Sequence, residues 1–294
     1  MKLYFRELTN DDIPAVKDIS KDIWNGDDYI PDVIEKWLQE KNCMNYGTFI
    51  DDQKTIMVGF GRVKLYNKDI AWLEGGRIKV SYQRQGIGRK QLGYAIDYAY
   101  KVGAKVAQYD TSSKNYGSIS LAEYYGFKKK KCMNVLDADR SDIKLIGSTS
   151  LKIKKITVDK ARDAYRNFDI GPGDEICMGW SYYPLKEISD ENGEWYIHNS
   201  DVILQKINIK ASPNQESPRE DEVWIIVYGN PQKAYDAIQN ILQKELKNEK
   251  IKHFEVFSSP ETANLVEELG FSYYEGEPFG VALYEKKLDY SPKD

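Results

Sequence analysis

Residues 83–92 read QRQGIGRKQL. Two glycines, Gly86 and Gly88, lie between a strand-like segment, EGGRIKV, and a long amphipathic segment. Glycine admits left-handed dihedrals and lets a ligand come close to the main chain. A helix that begins directly after such a bend turns its first amides, and the positive end of its dipole, toward it. Arg84, Arg89 and Lys90 add positive charge. This combination suits a pyrophosphate-bearing ligand. On these residues alone, a glycine turn with solvated charges is the plainer alternative. A dinucleotide site is a third reading, because Asp110 closes the next strand, where a ribose-binding acid would sit. Against it, Gln91 stands where GxGxxG needs its third glycine, and an antiparallel run of strands precedes the bend.

The chain has 294 residues, enough for one large domain or two ordinary ones, and 41% of them are hydrophobic. Its net charge of −4 argues against a general attraction to nucleic acid. No apolar run reaches the roughly 18 residues of a membrane span, and the start, MKLYFRELTNDD, is charged where a signal peptide is apolar. The expectation is a soluble, cytoplasmic protein, monomer or homodimer, with neither membrane nor nucleic-acid partner. Cys43, Cys132 and Cys177 are isolated, and no Cys/His spacing suggests a metal site. With only two histidines, His198 and His253, a Ser-His-Asp hydrolase is disfavoured.

The elements that must position the bend follow from pattern. A strand reads at 3–8, then helices at about 12–24 and 32–41, with Pro31 suited to a first turn. Three strands at 46–51, 56–65 and 70–80 form an antiparallel meander separated by polar turns. After the bend, Ile87, Leu92, Ala95, Ile96, Ala99 and Val102 give a helix one buried stripe, and Gly103 stops it. A strand at 104–109, a short helix ending at Gly126 and a strand at 127–135 complete the first half. The polar stretch 137–149 reads as a linker. Beyond it the pattern repeats: SLAEYYGF at 120–127 matches NLVEELGF at 264–271, and each follows a long helix, a strand and a polar loop. The counterpart of the bend, YGNPQKAYD at 228–236, lacks the glycine pair, and Pro231 removes an amide.

Residues 3–135 resemble the GNAT acetyltransferases. The signature Q/R-x-x-G-x-G/A is met by Gln83, Gly86 and Gly88, EGGRIKV resembles the family's fourth strand, and NYGSISLAEYYGF its post-fifth-strand motif. The resemblance implies an α/β (α+β) fold of two tandem GNAT-like domains, each a mixed, mostly antiparallel sheet flanked by helices. The first, 1–140, would be catalytic and the second, 150–294, degenerate. The implied cofactor is acetyl-CoA or a related acyl-CoA. Its pyrophosphate would rest on the amides of Gln85, Gly86, Ile87, Gly88, Arg89 and Lys90, with Asn115 nearby in the later motif. Its pantetheine would pair with Ile78, Lys79 and Val80.

The resemblance also assigns chemistry. An ammonium is not a nucleophile, so the acceptor amine must lose a proton, and the oxyanion that develops on the acetyl carbonyl needs a donor. Glu74 takes the place of the family's glutamate base, and Val80's amide that of the donor. The family's acid tyrosine position falls here on Ala122; Tyr125, one turn further on, is the substitute candidate. The family's acceptor pocket lies at the loop between its first helices, which places Asp27, Asp28 and Tyr29 at a cationic amine. Asp110 is a further candidate there, as acceptor contact or second-choice base. DIWNGDDYIPDVIEKWL with EGGRIKV also resembles the histidine N-acetyltransferase group, which implies a small amine such as an amino acid as acceptor. A non-catalytic acyl-CoA-binding module and a protein N-terminal acetyltransferase are the alternatives.

Overall fold

The computed structural model describes residues 1–26, 28–147, 151–168, 174–208, 218–274 and 276–288. In chain order the elements are β1 (Tyr4–Glu7), α1 (Ile13–Ser20), α2 (Ile30–Trp37), β2 (Cys43–Phe49), β3 (Met57–Leu65), β4 (Ile70–Ile78), α3 (Ile87–Lys101), β5 (Val106–Ser112), α4 (Tyr116–Tyr124) and β6 (Lys128–Asp139). They continue with β7 (Lys154–Ile156), α5 (Val158–Tyr165), β8 (Glu175–Cys177), β9 (Tyr182–Pro184), β10 (Glu194–His198), β11 (Val202–Ile207), β12 (Glu222–Gly229), α6 (Pro231–Glu245), β13 (His253–Ser258), α7 (Pro260–Val266) and β14 (Gly280–Lys287). The first helix is shorter than its pattern suggests. It stops at Ser20, and Trp24, Asn25 and Gly26 then all take positive φ.

The chain packs as two compact units that do not follow its two halves. One holds Met1–Tyr109, Tyr116–Lys128 and the chain from Tyr284; the other holds Asp110–Asn115 and Lys129–Leu283. The expected division at 140–150 therefore leaves residues 129–139 on the wrong side. The stretch read as a linker begins inside β6, whose residues from Asn134 to Asp139 pair antiparallel with β13. Such pairing joins residues over a hundred positions apart, which local polarity does not report.

In the first unit the strands run β1-β2-β3-β4-β5, with β14 next to β5. The first three pairings are antiparallel and β4/β5 is parallel. Ile19, Ile30, Ile34 and Trp37 from α1 and α2 join Phe49 and Phe60 in one buried cluster. Each such side chain contributes about 1.5–3 kcal/mol on burial. On α3 the buried residues are Ile87, Gln91, Ala95, Ile96 and Ala99, while Val102 is exposed. Gln91 belongs to the stripe although it is polar. It donates to the Phe60 carbonyl (2.8 Å) and accepts from the Thr48 hydroxyl (2.8 Å). Satisfied in this way, a buried amide is tolerated.

In the second unit the order is β6-β13-β12-β11-β10-β7. Here too an antiparallel run, β10/β11/β12, leads into a parallel pair, β12/β13. The two matching octapeptides end alike. Gly126 (φ +79) and Gly270 (φ +92) each turn the chain out of a helix into a buried phenylalanine, Phe127 and Phe271. Helix α6 and α7 bury Ile238, Ile241, Leu242, Ala263 and Val266 against the sheet.

Candidate active site

The bend at 83–90 is built as a helix start with no cap of its own. Gly86, with φ +78 and ψ 4, is the N-cap of α3 and has no side chain to offer its amides. The first return bond runs from the Lys90 amide to the Gly86 carbonyl (3.3 Å). The amides of Ile87, Gly88 and Arg89 therefore have no acceptor within the helix. Ile87 is buried and pins the turn, whereas Arg84, Gln85, Gly86, Arg89 and Lys90 are exposed around it. Gln83 explains its place in the motif: its amide donates to the Ile78 carbonyl (3.1 Å) and ties the bend to the end of β4. Gln85 ties back to the Ser81 carbonyl (3.3 Å). A Cβ on Gly88 would lie 3.4 Å from Leu121, an ordinary contact, and one on Gly86 would meet nothing within 4 Å.

Beside the bend, two strands part. The parallel pairing of β4 with β5 runs over Ile70–Val106, Ala71–Ala107 and Trp72–Gln108 and then ends, although β4 continues to Ile78. The register of β4 against β3 shifts between Phe60 and Arg62, where Gly75 takes φ +65. Trp37 leaves no room for a Cβ on Gly75, the nearest ring atom lying at 2.6 Å from it. Such a bulge re-aims the residues that follow. Past it, the Lys79 amide is committed to the Val58 carbonyl (2.9 Å) and its ammonium to Asp18 (2.7 Å). Among the described residues the Val80 amide donates to no acceptor. Of the three residues expected to pair with a pantetheine chain, Val80 thus keeps an open donor, while Lys79 does not.

Glu74 is the second residue of β4 after the strands part. It stands opposite Arg62 on β3, with Oε1 3.2 Å from Arg62 Nε, and its side chain is 24% exposed. Burial raises its pKa above the usual carboxylate range, against the pull of Arg62 and Lys64. Arg62 is 2% exposed and lies over the Trp37 ring (4.5 Å). It also bonds Glu40 and the Cys43 thiol. Sequence reasoning missed Arg62. Its only signal was an arginine facing a glutamate across a meander.

Several expected site residues are committed elsewhere. Asp28 has a side chain only 1% exposed and receives two bonds from Arg77 of β4, at 3.0 and 3.1 Å. It also accepts the Ile30 amide (3.3 Å) at the start of α2. In this structure its charge is answered by Arg77 within the fold. The Arg77 guanidinium lies over Trp24 (4.4 Å) and Tyr29 (5.6 Å), so the Tyr29 face expected for the acceptor holds a cation of the chain itself. Asp27 lies outside the described residues. Asp110, in the second unit, accepts from the Ser181 hydroxyl and the Tyr182 amide, both at 2.6 Å. Asn115 precedes α4 and donates its amide to Ser112 (3.0 Å). Tyr125 gives its proton to the Arg89 carbonyl (2.8 Å) and packs on Gly93. That bond ties the end of α4 to α3.

The matching junction of the second unit is closed by its own side chains. Asn230 caps α6 by accepting the Lys233 amide (3.2 Å), Pro231 has no amide, and Lys233 pairs with Asp201 (2.5 Å). A cleft of about 440 Å³ does remain there, lined by Tyr228, Asn230, Pro231, Ser259 and Thr262 among others.

A family model for the GNAT acetyltransferases matches residues 10–127. A search of curated proteins found no match. Among solved structures, the chain is similar to the GCN5-related glucosamine N-acetyltransferase region of a fungal GH3 β-N-acetylglucosaminidase (TM-score 0.61, 14% identity, 97% of this chain and 38% of that one). It is also similar to a presumed acetyltransferase from Thermoplasma acidophilum (0.57, 14%, 97% and 100%). A third likeness is to a GCN5-related N-acetyltransferase from Kribbella flavida (0.52, 11%, 98% and 71%). At such identities the structures speak for the fold. The family model, met by the uncapped bend and the parted strands, identifies residues 10–127 as a GNAT acetyltransferase domain.

Proposed function

We propose that the protein is an N-acetyltransferase that moves the acetyl group of acetyl-CoA to the primary amine of a small molecule such as an amino acid. The observation that carries this reading is the exposed, uncapped start of α3 beside the parting of β4 and β5, with Glu74 two residues beyond it. In this reading the amides of Ile87, Gly88 and Arg89 receive the pyrophosphate, and the exposed Arg84, Arg89 and Lys90 complement its charge. The Val80 amide donates to the acetyl carbonyl as charge develops on its oxygen. Glu74 takes the proton from the attacking amine, directly or through a water. The leaving thiol needs no acid, since a thiol ionises near pH 8.5 in water, and Tyr125 is engaged elsewhere. The second unit binds no acetyl-CoA, because its junction is capped by Asn230 and interrupted by Pro231. The likeness of residues 22–38 to the histidine N-acetyltransferase group supports a small acceptor.

The test is thiol release from acetyl-CoA with a panel of amino acids, polyamines and short peptides. Turnover with a small amine supports the reading. Turnover restricted to peptides would move the protein to N-terminal acetylation. Tight acetyl-CoA binding without turnover on any acceptor would make it a binding module.

A further inference from the structure

Three strands of the second unit bring five titratable side chains onto one sheet face. Glu222 opens β12; His253 and Glu255 lie two apart on β13; Asp137 and Asp139 lie two apart on β6. Glu222 is in register with His253, His253 with Asp139, and Glu255 with Asp137. Residues two apart on a strand, and partners across strands, share a face.

The imidazole is already oriented. His253 Nδ1 lies 3.1 Å from Asp139 Oδ1 and donates to it, which fixes the ring's orientation. Nε2 looks at Asp137 Oδ2 (3.7 Å) and Glu222 Oε1 (3.9 Å), both past hydrogen-bond reach. The Glu222 side chain is 7% exposed. Its other oxygen takes the Arg219 amide (3.0 Å), but Oε1 meets no donor among the described residues. Glu222 Oε1 and His253 Nε2 thus face each other at 3.9 Å. Glu255, 3% exposed, is held by the Trp180 indole (2.9 Å) and the Tyr274 hydroxyl. One donor atom from each of Glu222, His253 and Glu255 lies within 4.8 Å of the others. Ligands each about 2.1 Å from a shared ion lie about 3–4 Å apart.

We propose that Glu222, His253 and Glu255 bind one divalent first-row transition ion, with Asp139 orienting His253 and Asp137 at the rim. The imidazole and carboxylate donors select Zn²⁺ or Mn²⁺ over Ca²⁺ and Mg²⁺, which take oxygen ligands. The ion pins β12 to β13, the parallel pair of this unit, and its role is structural. Asp139 is the carboxylate that a metal-bound histidine engages with its second nitrogen.

The full chain, stripped with EDTA and dialysed, is titrated with Zn²⁺ and Mn²⁺ by calorimetry at pH 7. The expected result is one ion per chain and a raised Tm. His253→Gln and Glu222→Gln should each weaken binding at least about tenfold. Asp139→Asn, at a side chain 71% exposed, should fold normally and weaken it about 10–100-fold. It keeps the proposal testable if the buried variants fail to fold. Absence of saturable binding, or wild-type affinity in Asp139→Asn and His253→Gln alike, would overturn the site.

Discussion

Glu74→Gln isolates the proton-transfer step. The amide keeps the shape of the carboxylate and can still face Arg62, but it cannot accept a proton from an amine. A lost general base lowers kcat/KM by about 10²–10⁴-fold, which is about 2.7–5.4 kcal/mol at 1.36 kcal/mol per tenfold. The structural cost should be smaller. Arg62 retains Glu40 and the Cys43 thiol, and loses a partner at 3.2 Å that is itself a quarter exposed. That puts the destabilisation at about 0.5–3 kcal/mol, the usual range for a single substitution that weakens an ion pair without removing its other partners. The sign of the pH dependence follows from the raised pKa of Glu74. Only the ionised form is a base, so wild-type kcat/KM should climb through a limb above the usual carboxylate range. The Glu74→Gln variant should lack that limb, and its deficit should shrink at high pH, where the acceptor is already neutral. Stability should move the other way. A carboxylate with a raised folded pKa binds its proton more tightly in the native state. It favours the fold at low pH and loses that contribution as pH rises through the folded pKa. The Tm difference between variant and wild type should therefore shift in favour of the variant as pH rises across that window. Steady-state kinetics and thermal unfolding from pH 5 to 9 read both. Wild-type turnover by Glu74→Gln at every pH would refute the base assignment.

The bend separates ligand effects from folding effects. A methyl on Gly88 meets only Leu121 at 3.4 Å, so Gly88→Ala should keep its Tm yet lose acetyl-CoA affinity in calorimetry. Gly86→Ala should lose both, since forcing alanine to φ +78 costs about 1–2 kcal/mol. Unchanged affinity in a folded Gly88→Ala would exclude the pyrophosphate from this turn. Acetyl-CoA should bind once per chain, and a calorimetric stoichiometry of two would show that the capped junction at Asn230 also receives it. Asp28→Asn strips Arg77 of its bidentate carboxylate and should cost about 3 kcal/mol, the low end for breaking a buried pair. The measurement is a lowered Tm. A raised KM for the amine with an unmoved Tm would instead return Asp28 to the acceptor.

What the sequence reveals here depends on distance along the chain. The motif Gln83, Gly86, Gly88 is legible because its geometry is local: left-handed φ, a helix start and a side chain reaching five residues back. The meander and the stripe of α3 are legible for the same reason, save that Gln91 hides in the stripe behind two long-range hydrogen bonds. Asp28 reads as an acceptor contact until its partner, Arg77, is placed beside it by strand register 49 residues later. Tyr125 reads as an acid until α3 is laid against α4. The carboxylates about His253 come from three strands separated by long stretches of chain, and no spacing rule for metal ligands covers them.

The two junctions also show why a shared pattern need not mean a shared ligand. Both units place a long helix after the strand that leaves a parallel pair, so both start with unanswered amides at the same point. In the first unit the cap residue is glycine, and nothing in the described chain answers them. A guest with negative charge gains the whole of that field. In the second unit, asparagine accepts one amide, proline deletes another, and the lysine of the same turn is neutralised by Asp201. A phosphate arriving there would have to displace bonds the fold already has. The difference between Gly86 and Asn230 alone therefore shifts the balance of binding, and Asn230→Gly with Pro231→Ile should give the second unit a measurable, weak affinity for acetyl-CoA. If calorimetry of that variant still finds one site per chain, the loss of binding lies in the shape of the cleft and not in its cap.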